Sequence, residues 1–110
     1  MSITREDKDG SATLKIEGSM SIYDATAVRV ELLACFDNSE DITLDLKRVT
    51  DFDTAGLQLL CAARKTAAEE GKRFCVAGAP APVIDFLRDA GVNPEELFNL
   101  EFEVELEKED

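Results

Sequence analysis

Histidine is absent from this chain of 110 residues, and basic residues are scarce: 12 Lys and Arg stand against 24 Asp and Glu, a net charge of −12. That balance argues against binding nucleic acid or an anionic membrane surface through bulk electrostatics, because phosphates are repelled. It favours solubility and a basic or neutral protein partner. Cysteine is sparse and odd in number, with Cys35, Cys61 and Cys75 far apart and no Cys-x-x-Cys pair. Each falls in an apolar pattern, so all three are expected as reduced core residues of a cytoplasmic protein, with no metal or cofactor. Long apolar runs are missing too. Met1 to Gly10 is polar, without the apolar stretch of a secretory signal, and no segment reaches the length of a membrane span. A cytoplasmic protein without direct membrane insertion is the expectation.

What is present fits one folded domain. Hydrophobic residues make up 45% and charged residues 33% of the chain, the composition of a globular protein large enough for a single core. Ala12, Leu14 and Ile16 alternate with Thr13, Lys15 and Glu17, the mark of a half-buried strand that Gly18 is expected to end. The Asp9-Gly10 dipeptide predicts a tight hairpin pairing this strand with residues 2–6. A helix follows, with Ser21 or Asp24 as its cap and Val28, Leu32, Cys35 and Phe36 on one face.

Ile42, Leu44 and Leu46 form a second alternating strand, and Val49 continues its apolar line. From Leu57 to about Ala68 the spacing is helical again, with Leu57, Leu60, Cys61 and Arg64 read as one face and Gly71 as the stop. Phe74-Cys75-Val76-Ala77 reads as a central strand covered on both faces. Pro82 suits the first turn of a third helix whose Val83, Leu87 and Ala90 face inward before Gly91. Asn93-Pro94-Glu95-Glu96 reads as a further helix start. Phe102, Val104 and Leu106 then alternate with glutamates, predicting a terminal strand or extended arm. The resulting β-β-α-β-α-β-α order implies an α/β fold with a small mixed sheet.

Asp51-Phe52-Asp53-Thr54-Ala55-Gly56-Leu57 joins the second strand to the second helix, and most of the functional information lies there. Helix N-termini carry unpaired N–H groups and partial positive charge, so carboxylates, hydroxyls and free amides meet at one point. Three readings compete. Asp51-x-Asp53 resembles the paired aspartates of phosphatases that form an aspartyl-phosphate, but position 55 is Ala and no second acidic loop or cap is evident. A receiver-type phospho-aspartate site fails because Glu17-Gly18 and Ala77-Gly78 supply neither the acidic pair nor the lysine. A purely structural reading makes Asp53 or Thr54 a helix cap, which leaves the small Ala55-Gly56 pair unexplained. That pair implies close packing or close approach by a partner.

The third reading is a recognition surface. Leu44-Asp45-Leu46, Val49, Phe52, Asp53-Thr54-Ala55-Gly56-Leu57 and Leu60 resemble the signature region of STAS domains, the fold of bacterial anti-sigma factor antagonists. Gly18-Ser19-Met20 and the Pro82 to Val92 helix also resemble that family, so the resemblance spans roughly residues 3–92 of a single 1–110 domain. It implies a mixed β-sheet with helices packed mainly on one side, and a binding switch in signal transduction and transcription control rather than an enzyme. The implied partner is an anti-sigma factor with serine-kinase activity, docking on Asp53, Thr54, Ala55, Gly56 and Leu57. In phosphorylated members the hydroxyl immediately before the Gly accepts phosphate. Here that position is Ala55, and Thr54 keeps the only hydroxyl of the loop, which makes it the candidate phosphosite. The Asp-Thr-small-Gly-Leu pattern is also similar to STAS proteins that dock on a transporter ATPase subunit in phospholipid transport, and to chemotaxis-linked STAS proteins.

Overall fold

The protein is described by a computed structural model over residues 1–94. Two strands, β1 (Ser2–Lys8) and β2 (Ser11–Met20), form the expected hairpin in antiparallel register, Ile3 opposite Ile16 and Arg5 opposite Leu14. Asp9 and Gly10 at its tip both take positive φ, 49° and 85°, the handedness that matches strand twist in a two-residue turn. After α1 (Ala25–Asn38), β3 (Asp41–Phe52) returns parallel to β2. After α2 (Thr54–Glu70), β4 (Arg73–Ala77) lies parallel to β3, and α3 (Ala81–Asp89) follows. The spatial order β1-β2-β3-β4 equals the chain order. Both crossovers step across the sheet in one direction, and right-handed connections therefore place α1 and α2 on the same face.

Burial confirms the one-sided arrangement. Ala12, Leu14 and Ile16 of β2 and Ile42, Leu44 and Leu46 of β3 are buried, whereas Thr13, Lys15, Thr43 and Asp45 on the other face stay partly exposed. Helix α1 meets them with Val28, Leu32, Cys35 and Phe36, the four residues its spacing picks out. One detail breaks strict alternation: Leu46 and Val49 are both buried although three apart. The β2–β3 register slips between Lys15 and Glu17, so β3 carries an extra residue, and Asp45 Oδ1 accepts the Lys47 N–H at 3.0 Å across the irregularity. The bulge resets the phase and delivers Val49, Phe52 and the junction that follows to the helix side.

Helix α2 ends in a Schellman arrangement. Gly71 has φ 68° and ψ 31°, its N–H donates to Ala68 O at 3.4 Å, and the Lys72 N–H donates to Ala67 O at 2.9 Å.

Several expectations are corrected. Gly18 does not end β2; it sits at φ 90° within the strand, beside a second register shift, and pairing continues to Met20. The inner face of α2 is Gly56, Leu59, Leu60, Ala63 and Ala67, while Cys61 and Arg64 are exposed. The helix begins at Thr54 rather than Leu57, and small residues that carry little hydropathy signal pack against the sheet. Of the cysteines, Cys35 alone is fully buried, and Cys75 is half-buried with its Sγ 3.4 Å from Thr43 Oγ1. Among the described residues β4 pairs only with β3 and buries only Val76, so it is an edge strand rather than one covered on both faces. In α3, Ile84 is buried with Val83 and Leu87, whereas Ala90 is exposed. The helix expected from Asn93 extends past the described residues, and the period-two stretch from Phe102 lies wholly outside them.

Leu44 sits fully buried mid-strand in β3, between β2 and β4. Leu44→Ala is expected to cost about 3 kcal/mol of unfolding free energy, measured by urea denaturation.

Candidate functional site

Asp53 is the single residue between β3 and α2, in extended backbone conformation at φ −139° and ψ −167°. That geometry turns its side chain back over the helix it starts. Oδ1 accepts the Ala55 N–H at 2.9 Å and the Gly56 N–H at 3.4 Å, while Asp53 O receives the Leu57 N–H at 3.1 Å. The other oxygen, Oδ2, accepts the Ile22 N–H at 3.1 Å, from the loop between β2 and α1. One carboxylate thus caps α2 and ties down a second loop 31 residues away in sequence. The positive end of the α2 dipole is met by a group of the chain itself.

The expected five-residue loop is in fact a one-residue junction followed directly by helix, and its members face different ways. Asp51 and Phe52 are still in β3; Asp51 is exposed and accepts from Thr50 Oγ1 at 3.3 Å. Phe52 packs edge-on to Phe86 of α3, with ring centroids 5.6 Å apart. Thr54 is exposed on the first helical residue, and Ala55 and Leu57 are half-buried, Leu57 against the core. Gly56 is buried. A Cβ there would lie 2.7 Å from Phe52 Cε1 and 2.8 Å from Met20 O, so its smallness serves the close seating of α2 on the ends of β2 and β3. Of the two explanations of the small pair, close packing accounts for Gly56, and Thr54 is what the junction presents outward.

The β2–α1 loop, Ser21 to Asp24, forms the other half of this surface. Asp24 Oδ2 accepts the Ser21 N–H at 3.2 Å and is 3.1 Å from Ser21 Oγ. Hydrogen bonds from the Ser19 hydroxyl and from Ser21 hold the Asp24 carboxyl below its ordinary value. Asp24 precedes α1, but its side chain makes no bond to that helix's N–H groups, so it organises the turn instead of capping the helix as expected. Between these anchored residues Ile22 is 66% and Tyr23 95% exposed. The sequence reading missed both. Their signal was an apolar pair in a segment belonging to neither flanking periodicity.

Other concavities lie elsewhere. One, of about 600 Å³, opens at the far end of the sheet around Asp41, Arg64, Lys72, Arg73 and Phe74. Its cations are partly engaged: Lys72 Nζ donates to the Phe36 carbonyl at the end of α1, and Arg73 lies 3.6 Å from Asp41. A smaller groove of about 120 Å³ runs between α1 and α2, past Leu33, Phe36, Leu59 and Ala63. Among the described residues no group of three His, Cys, Asp or Glu is placed to hold a metal ion, and no helix is long and apolar enough to cross a membrane.

Asp53→Ala is expected to lose about 1 kcal/mol of stability in urea denaturation, mainly from the α2 cap, because the Ile22 N–H is exposed and water can replace its partner. The Asp24 carboxylate, with its folded pKa depressed, contributes stability above its ordinary value of 3.8 and loses it as pH falls through the folded value. Asp24→Asn should therefore lower the melting temperature at about pH 7, with the gap closing on acidification below about pH 4.

Comparison with known proteins bears on this arrangement. A family model described as "Mlab, STAS domain" matches residues 3–99. A search of curated protein sequences returned no match. An anti-sigma factor antagonist from Mycobacterium paratuberculosis shares the fold with a TM-score of 0.74, at 21% identity over 88% of this chain and 81% of that one. The anti-sigma factor antagonist SpoIIAA of Bacillus, in its unphosphorylated form, gives 0.71 at 14% identity, covering 84% of each chain. A Moorella thermoacetica RsbS variant gives 0.70 at 17% identity, over 84% of this chain and 80% of that one. With residues 3–99 matched by that model and the same fold in each of these solved structures, the chain belongs to the STAS-domain family.

Proposed function

We propose that the protein is a non-catalytic, cytoplasmic regulatory module that docks a partner protein through the surface centred on Thr54, in the manner of anti-sigma factor antagonists. One observation carries the reading. Thr54 holds an exposed hydroxyl at the start of a helix whose Ala55 and Gly56 donors are already taken by Asp53. A free anion finds those two N–H groups occupied, so the position suits recognition of a hydroxyl by another protein. Asp53 fixes the junction, Gly56 and Leu57 seat it on the core, and Thr54 with the edge of Ala55 meets the partner. SpoIIAA, a structural neighbour of low identity, has been solved both unphosphorylated and phosphorylated. A phosphate on Thr54 would add nearly two negative charges beside Asp51 and Asp53, enough to repel a partner that binds the unmodified surface.

A second reading is favoured by Ala55, which stands where phosphorylated STAS proteins carry their acceptor hydroxyl. In it the protein is a constitutive docking subunit, as on a transporter ATPase, with Thr54 donating or accepting one interfacial hydrogen bond.

Thr54 separates the two. Thr54→Glu should weaken partner binding about tenfold or more by calorimetry, with the melting temperature unchanged; undiminished affinity rejects the docking surface. Thr54→Ala leaves a switch protein permanently bound in the presence of kinase and ATP, and reduces the affinity of a docking subunit by a few-fold. Intact mass after incubation with a partner kinase and ATP reads the modification directly.

A further inference from the structure

The large hydrophobic side chains that the described residues leave exposed include Met1, Ile22 and Tyr23, the last two in the loop that follows β2. A Cβ on Gly18 would lie 3.4 Å from Met1 Cα, which places Met1 against the last turn of that strand. Ile22 and Tyr23 follow it directly. The Ile22 N–H bond to Asp53 fastens the apolar pair to the residue that starts α2, so Tyr23 and Thr54 project from two segments held by one carboxylate. The turn itself is braced by Asp24 on Ser21, so the exposed phenol stands on a fixed backbone. Nothing in the fold requires a tyrosine there: at 95% exposure it buries almost no area of its own. Tyrosine on a rigid loop offers large contact area for the ordering of few torsions, which is why such residues dominate binding energy at interfaces.

We propose that Tyr23, with Ile22 beside it, is the apolar anchor of the docking surface and inserts into an apolar pocket of a partner protein whose rim carries Lys or Arg. This rests on the docking reading of Thr54 and names what its partner must look like. The rim chemistry follows from the carboxylates around the anchor. Asp24 and Asp53 are bonded to the loop itself, and Asp51 is paired in register with Ser19 at the end of β2. Against these three carboxylates stand Arg48, already 3.4 Å from Glu17, and the Met1 amino group, whose charge acts on Asp24. A second copy of the chain is the wrong occupant, because a two-fold contact here would set these carboxylates against their own images on a protein of net charge −12.

The test uses the full chain. A wild-type bait captures its partner from extract of the native cell; that partner is then purified and titrated calorimetrically with wild type, Tyr23→Ala, Tyr23→Phe and Thr54→Glu. Tyr23→Ala is expected to weaken binding about 30-fold with no change in melting temperature, and Tyr23→Phe to stay within about threefold. Affinity should fall several-fold as salt rises from about 0.1 M to about 1 M. If Tyr23→Ala binds within about twofold of wild type while Thr54→Glu does not, the anchor is wrong and the docking surface stands. If neither substitution matters, or the bait retains no protein, both fail. A concentration-dependent dimer in sedimentation that Tyr23→Ala abolishes assigns the patch to self-association and overturns the proposal.

Discussion

The carboxylate of Asp53 is the interaction on which the working end of this molecule depends. A helix start leaves N–H groups without intrahelical partners, and a loop between strand and helix leaves others without sheet partners. Asp53 meets both needs with two oxygens: Oδ1 serves Ala55 and Gly56, and Oδ2 serves Ile22. The β2–α1 and β3–α2 connections are thereby locked to each other, not merely adjacent. Thr54 and Tyr23 can face outward from exposed segments because the backbone beneath them is fixed by the half-buried bonds of Asp53 and Asp24 and by the exposed bond from Ile22 to Asp53. Such preorganisation lowers the ordering cost of any association through this surface.

The sheet beneath makes that junction possible. A helix layer on a single face requires α2 to settle closely on the carboxyl ends of β2 and β3, and Gly56 is what lets it: any side chain there would strike Phe52 or the Met20 carbonyl. The register slips in the β2–β3 ladder serve the same end. They turn the alternation so that Val49 and then Phe52 reach the helix side, where Phe52 also meets α3. Bulge, glycine and cap form one device that carries the chain from a pleated strand into a helix within one residue.

The proposed docking surface is acidic. An excess of twelve negative charges disfavours association with other anionic surfaces. At the working end the carboxylates of Asp24, Asp51 and Asp53 surround apolar and hydroxyl groups. At the opposite end of the sheet Arg64, Lys72 and Arg73 line a cleft together with Asp41.

What the sequence determined by itself was everything governed by local periodicity and turn chemistry. Alternation placed β2 and β3, helical spacing named all four buried residues of α1, Asp9-Gly10 fixed the hairpin, and Gly71 the end of α2. Asp53 was legible as a cap because its residue type precedes a helical pattern. Tertiary structure decided the rest. Whether β4 was central or an edge depended on strand order, which four apolar residues do not encode. The true face of α2, built from Gly56, Ala63 and Ala67, was hidden because small residues bury well but score weakly. The second bond of Asp53, across to Ile22, joins segments that only the folded sheet brings together. So does the exposure of Tyr23, since a residue's freedom from burial depends on what the remainder of the chain fails to cover.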